Sequence, residues 1–172
     1  VDGVVLPAQP AVSVDLGLGD VTVMTGANAD EMQLFLIGQT ITKSQYEQRV
    51  MMTFGANTPA LLSMYPAASD QQAKEAYVAL LSDILFICPA LGFERVASKQ
   101  KSPAYSYHFT KGLTGGNWAA LGAFHALEIA FVFNTFSAYG VAPTDADRAL
   151  SEKMMKAWSS FARTGVPALS PE

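Results

Sequence analysis

Glu31 and His125 are the two side chains whose types and order suit acyl-transfer chemistry. A hydroxyl is a poor nucleophile until a base takes its proton as it attacks an ester carbon. Histidine can do this near neutral pH, because its unperturbed pKa of about 6.5 leaves it mostly neutral yet able to accept a proton. A carboxylate against the other ring nitrogen would fix the tautomer and stabilise the imidazolium that forms. Each residue also has a plainer reading. A loop glutamate is usually solvated, and a lone histidine in an apolar stretch is usually a satisfied core residue. Metal binding by His125 and Glu128 rests on one reversed copy of a Glu-x-x-His arrangement, with no further ligands beside it. His108, between Tyr107 and Phe109, reads as structural or exposed.

The elements around these residues form an α/β pattern. Val21 to Met24 is a short apolar, β-branched run that reads as a buried strand, with a polar turn expected from Gly26 to Asp30. Ser69-Asp70-Gln71-Gln72 reads as a capping box with Gln72 reaching back. Ala73, Ala76, Tyr77, Leu80, Leu81, Ile84 and Leu85 follow as one apolar helical stripe, which Pro89 is expected to interrupt. Pro103 to Phe109, with Tyr105, Tyr107 and Phe109 alternating, predicts a second strand, and Gly112 to Asn117 a glycine-rich loop. Thr144 to Asp147 starts a late helix whose buried stripe is Leu150, Met154, Trp158 and Phe161, ended by Gly165 and Pro167. The order is strand, loop with an acid, helices, strand, loop with a histidine, helix.

Composition narrows the partners. Of the 172 residues, 50% are hydrophobic and 15% charged, fewer than the roughly 25% charged of ordinary domains. Such a chain is either an unusually apolar domain or part of a larger body that buries many of its faces. The net charge of −4, with no basic stripe, argues against nucleic acid. The longest apolar run, Ala119 to Phe133, is broken by His125 and Glu128, so no membrane span is expected. Cys88, without an internal partner, is either a small buried hydrophobe or half of a bridge to a cysteine elsewhere. Neither a G-x-S-x-G elbow nor an H-G-G-G oxyanion loop occurs, nor a P-loop, dinucleotide fingerprint or H-E-x-x-H.

In α/β-hydrolases the triad runs in chain order Ser, then Asp or Glu, then His. Glu31 before His125 fits the last two places. The run Gly122-Ala123-Phe124-His125-Ala126-Leu127-Glu128-Ile129-Ala130-Phe131-Val132-Phe133 resembles the histidine motif of type-B carboxylesterases, which include para-nitrobenzyl esterases and cholinesterases. In the same order, Val1 to Pro7 resembles the segment ahead of the acid strand, and Gly26 to Phe35 the segment holding the acid. Asp83, Phe86, Cys88 and Pro89, then Pro103 to Tyr107, resemble the helix and strand before the histidine. Trp158, Phe161, Ala162, Gly165 and Pro167 resemble the late helix.

The resemblance implies that residues 1–172 are the C-terminal part of one α/β-hydrolase catalytic domain, the last strands of its sheet with flanking helices, incomplete without an N-terminal part carrying the elbow. It implies a carboxylic ester hydrolase in which Glu31 is the triad acid and His125 the general base and acid, acting on a small-molecule ester without a cofactor or metal. Trp118 and Phe124 either line the acyl or alcohol pocket or are ordinary packing. Glu128 is expected to hold the histidine loop, and Cys88 matches a position disulfide-bonded in some secreted members. The resemblance makes the run up to Phe133 a strand, and Asn134 stands where the family usually has Gly, so the turn leaving that strand is expected to differ. A non-catalytic, cholinesterase-like adhesion domain is the alternative, decided by the residue at the upstream elbow.

Overall fold

The computed structural model describes residues 1–5, 8, 9, 12, 20–99, 101 and 103–168. Leu6 and Pro7, at the end of the N-terminal stretch read above, lie outside them, as does Gly19 before the first strand. The described elements are β1 (Val23–Asn28), α1 (Lys43–Phe54), α2 (Thr58–Met64), α3 (Asp70–Ser82), a π-helical turn (Asp83–Ile87), α4 (Cys88–Ala97), β2 (Ala104–Phe109), α5 (Leu127–Phe133) and α6 (Asp145–Thr164).

β1 and β2 pair in parallel, with Val23 opposite Ala104 and Asn28 opposite Phe109. Parallel pairing needs a long crossover, here the helices α1 to α4. α4 packs on both strands. On the other face Tyr105 meets Phe161 and Tyr107 meets Trp158, both from α6. A sheet covered by helices on each face is the layered α/β arrangement.

β1 sits later than its apolar run suggests. The strand takes in Gly26, Ala27 and Asn28, and the turn begins only at Ala29. Pairing with β2 overrides the turn preference of these residues. Gly26 lies opposite Tyr107, whose carbonyl and ring occupy the space a Cβ would need. Glycine there is a packing requirement rather than a turn signal.

The helix starting at Asp70 also departs from expectation. Ser69 caps it by accepting from Gln72 N at 3.3 Å, but Gln72 Oε1 accepts from Ala68 N rather than closing the box on Ser69. Pro89 does not end it. The chain stays helical from Asp70 to Ala97, because the π turn places Pro89 in the first turn of α4, where its missing N–H costs little. By length and composition alone, this 28-residue stretch is long and apolar enough to cross a membrane, and it lies outside the broken run Ala119 to Phe133 considered above. Leu85 and Leu91 are exposed on it, and so is Cys88, which is therefore not a buried hydrophobe.

Two apolar clusters form the core. One gathers Leu36, Ile41, Tyr46, Val50, Ala73, Ala76, Val78 and Leu80 around α1 and α3. The other joins Phe109, Leu113, Phe124, Leu127, Phe131, Phe136 and Met154 between β2, α5 and α6. The run after His125 is a helix rather than a strand, and Asn134 ends it in the left-handed conformation (φ 53°) that glycine would otherwise supply. α6 opens with a reciprocal capping box between Thr144 and Asp147. Burial pushes the Asp147 carboxyl up, but hydrogen bonds from Thr144 and the Lys111 ammonium, 3.0 Å away, outweigh it and hold the carboxyl below its ordinary range.

Candidate active site

Both strands deliver their chemistry at their carboxyl ends. Beyond Asn28 the chain turns through Ala29 and Asp30 into a 3₁₀ turn that starts at Glu31. Beyond Phe109 it runs through the glycine-rich loop and a 3₁₀ turn at Ala119–Leu121 to His125. Ala29 N donates to Phe109 O at 2.9 Å, which extends the pairing of the strands into the loops.

The two loops are joined by direct bonds. Asp30 N donates to Ala123 O at 3.0 Å, and Ala123 N donates to Asp30 Oδ2 at 2.8 Å. Gly122 has φ 60°, and a Cβ on it would overlap the Asp30 carboxylate. Only glycine satisfies both demands. Ala126 also takes the left-handed conformation (φ 66°) immediately before α5. A non-glycine residue held there is strained, and such strain concentrates at functional sites.

This scaffold brings Glu31 and His125 together. His125 Nδ1 lies 2.6 Å from Glu31 Oε2. The Glu31 side chain is 6% exposed and the His125 side chain 42% exposed, so the carboxylate lies behind the ring and the ring faces outward. Against an ionised carboxylate, which only accepts, a neutral imidazole carries its proton on Nδ1 and leaves Nε2 as the acceptor. Nε2 has no partner among the described residues. The second carboxylate oxygen, Oε1, accepts from Asn28 N at 2.7 Å.

Two aromatic rings, named above only as parts of the family resemblance and given no site role there, flank the imidazole. Phe35 and Phe86 have centroids 5.2 and 5.1 Å from it, and they stack on each other at 6.3 Å. Phe35 comes from the chain just after the Glu31 turn and Phe86 from the π turn. Just before that turn, the end of α3 is fastened to the acid loop where Met32 N donates to the buried Ser82 Oγ at 3.0 Å. The sequence signal was present only as an aromatic four residues after the acid and another inside an irregular helix.

The remaining expected residues fall into different places. Phe124 is 1% exposed and packs among Trp118, Tyr139 and the α5 cluster, as the packing alternative expects. Trp118 stacks on Phe124 at 5.5 Å and donates Nε1–H to Tyr139 O at 3.1 Å, which makes its packing role explicit. His108 is exposed on β2, opposite Ala27. Glu128 Oε2 accepts from Asn28 Nδ2 at 2.6 Å. Burial, with Glu128 and then Glu31 nearby, pushes the Tyr107 hydroxyl up to about 12. Among the described residues no group of His, Cys, Asp and Glu is arranged to hold a metal ion.

The family model described as Carboxylesterase family matches residues 1–172. Cholinesterase from Mus musculus is 28% identical over 97% of this chain and 31% of its own length. Acetylcholinesterase from Bungarus fasciatus is 29% identical, again over 97% of this chain and 31% of its own. A solved PNB esterase superposes with a TM-score of 0.75 at 25% identity, covering 96% of this chain and 34% of that one. The chain therefore spans about a third of the length of the relatives it matches.

Proposed function

The chain belongs to the carboxylesterase family, and on that premise we propose that it supplies the acid and histidine of a serine esterase. Residues 1–172 form the C-terminal part of one α/β-hydrolase catalytic domain, and the nucleophile comes from a preceding part of the same domain. The observation that carries this reading is the 2.6 Å contact of His125 Nδ1 with a buried carboxylate, with Nε2 turned outward.

The residues divide the work as follows. The serine hydroxyl gives its proton to His125 Nε2 as its oxygen attacks the ester carbonyl. Glu31 holds Nδ1–H and stabilises the positive ring. The protonated ring then gives that proton to the departing alcohol oxygen, leaving an acyl-serine. Water, deprotonated by the same nitrogen, hydrolyses the acyl group, and serine regains its proton. Phe35 and Phe86 keep water from the sides of the ring and restrict its rotation. Small carboxylic esters are the substrate class, in keeping with the esterase names of the similar proteins.

The experiment uses the full-length protein and a short-chain p-nitrophenyl ester. His125→Ala is expected to lower kcat at least about 10⁴-fold, as loss of the base does in such triads. Wild-type turnover in that variant would reject the assignment. The non-catalytic alternative predicts no turnover in the parent protein either, together with a residue other than serine at the elbow.

A further inference from the structure

Asn28 ends β1 one residue before the acid turn and three before Glu31. It is 1% exposed and makes three bonds at once. Its backbone N–H donates to Glu31 Oε1 at 2.7 Å. Its side-chain Nδ2 donates to Phe124 O at 2.8 Å and to Glu128 Oε2 at 2.6 Å. Phe124 directly precedes His125, and Glu128 lies in the first turn of α5, three residues after it. One residue therefore holds the carboxylate from one side and brackets the histidine from both sides along the chain.

We infer that Asn28 is the positioning residue that sets Glu31 and His125 against each other, through a backbone bond to the acid and a side-chain clamp across the histidine loop. This rests on the esterase reading above.

The orientation of the amide supports the role. Both partners of Nδ2 are acceptors, a carbonyl and a carboxylate, so the amide must turn its nitrogen toward them. Its oxygen has no hydrogen-bond partner among the described residues. A buried amide chosen only for stability would satisfy both ends, since an unsatisfied buried acceptor costs roughly 1–3 kcal/mol. Asn28 is instead arranged for its two donations. No other natural side chain of this length offers two hydrogens from one neutral nitrogen. Aspartate would place an acceptor against two acceptors, and serine or threonine has a single hydrogen to share.

The clamp spans the strained part of the loop. Ala126, at φ 66°, lies between Phe124 and Glu128, so releasing either anchor lets the backbone relax and carries the ring with it. Displacement of a catalytic base by about 1 Å can cost roughly 10²-fold in rate.

The test uses the full-length esterase and a short-chain p-nitrophenyl ester. Asn28→Ala keeps the backbone bond to Glu31 and removes only the clamp. It should lower kcat about 10- to 100-fold while KM stays within about twofold, the pattern of an interaction felt in the transition state. Ser151→Ala is the structural control. It removes an equally buried bond, Ser151 Oγ–H to Phe131 O at 2.6 Å, from the far side of α5, and should leave kcat unchanged. Wild-type kcat in Asn28→Ala, or equal losses in both variants, would overturn the inference. If Asn28→Ala gives no folded protein, Asn28→Asp carries the test. It keeps every heavy-atom position and removes both donations, and it should lose at least as much kcat; full activity there overturns the clamp. An inactive parent protein, or an active His125→Ala variant, sinks the esterase reading instead. An active parent with an inactive His125→Ala and an undamaged Asn28→Ala sinks only the clamp.

Discussion

At the scale of single residues, type and order left Glu31 and His125 open to plainer readings, the family resemblance singled them out, and the structure places their side chains in contact. What surrounds them was not legible. Phe35 and Phe86 lie far apart in the chain, and they meet the imidazole only because the π turn and the acid turn are fastened at Ser82. Phe124, beside the histidine in sequence, faces the opposite way into the core, since adjacent residues entering a helix do not share a face. Tyr107 carries a prediction at this scale. Its hydroxyl is raised from its ordinary 10.0 to about 12 by burial and by the two glutamates. A folded-state pKa above the unfolded value means that the neutral form stabilises the fold. That contribution is complete below about 10 and is lost as pH rises toward 12. Denaturant midpoints of the full-length protein should fall over this alkaline window, and Tyr107→Phe should flatten the fall. An unchanged slope in the variant would assign the loss to other groups.

At the scale of elements, caps and periodicity were legible where the cause is local. Ser69 and Thr144 cap the helices they were expected to cap. Register and interruptions were not, because tertiary pairing decides them. The strand runs through Gly26 to Asn28 since β2 offers partners there, and Pro89 stays helical since the π turn resets the hydrogen-bond ladder before it. Two substitutions separate an element's stability from its use. Thr144→Ala removes one half of the α6 capping box and should cost about 1 kcal/mol. Unfolding by urea would show that cost, with kcat unaltered at 25 °C, because the bonds and ring contacts of Glu31 and His125 run to Asn28, Phe35, Phe86 and each other rather than to α6. Gly122→Ala should act differently. It puts a Cβ into the Asp30 carboxylate at a positive φ, forcing apart the bonds that join the two loops. Destabilisation above about 1 kcal/mol is expected, as for a side chain forced into a conformation it resists, with a fall in kcat alongside. Retained kcat in Gly122→Ala would mean that the Asp30–Ala123 bridge does not position the histidine.

At the scale of the whole molecule, the shortage of charge in the composition has a structural counterpart. Phe133, Ile129, Ile37, Met52 and Leu85 are all exposed, and only two strands make up the described sheet. Each strand therefore has one edge without a strand partner among the described residues, and unpaired edges and apolar patches invite association. The apolar stretch Asp70–Ala97, with Leu85 and Leu91 exposed on it, adds to these apolar faces. Residues 1–172 prepared alone should be inactive toward esters and should associate, seen as polydisperse scattering and a non-cooperative melt. A monodisperse, cooperatively unfolding monomer would contradict the account of these faces.

Glu31 working through His125 is the claim on which the esterase reading stands, and a double-mutant cycle in the full-length protein tests it most directly. The kcat for p-nitrophenyl ester hydrolysis is measured for the parent, Glu31→Gln, His125→Ala and the double variant. Each single change should lower kcat by several orders of magnitude, and the double variant should fall no further than His125→Ala alone, because residues acting as one unit are not additive. Full additivity of the two losses, or an unimpaired Glu31→Gln enzyme, would contradict it.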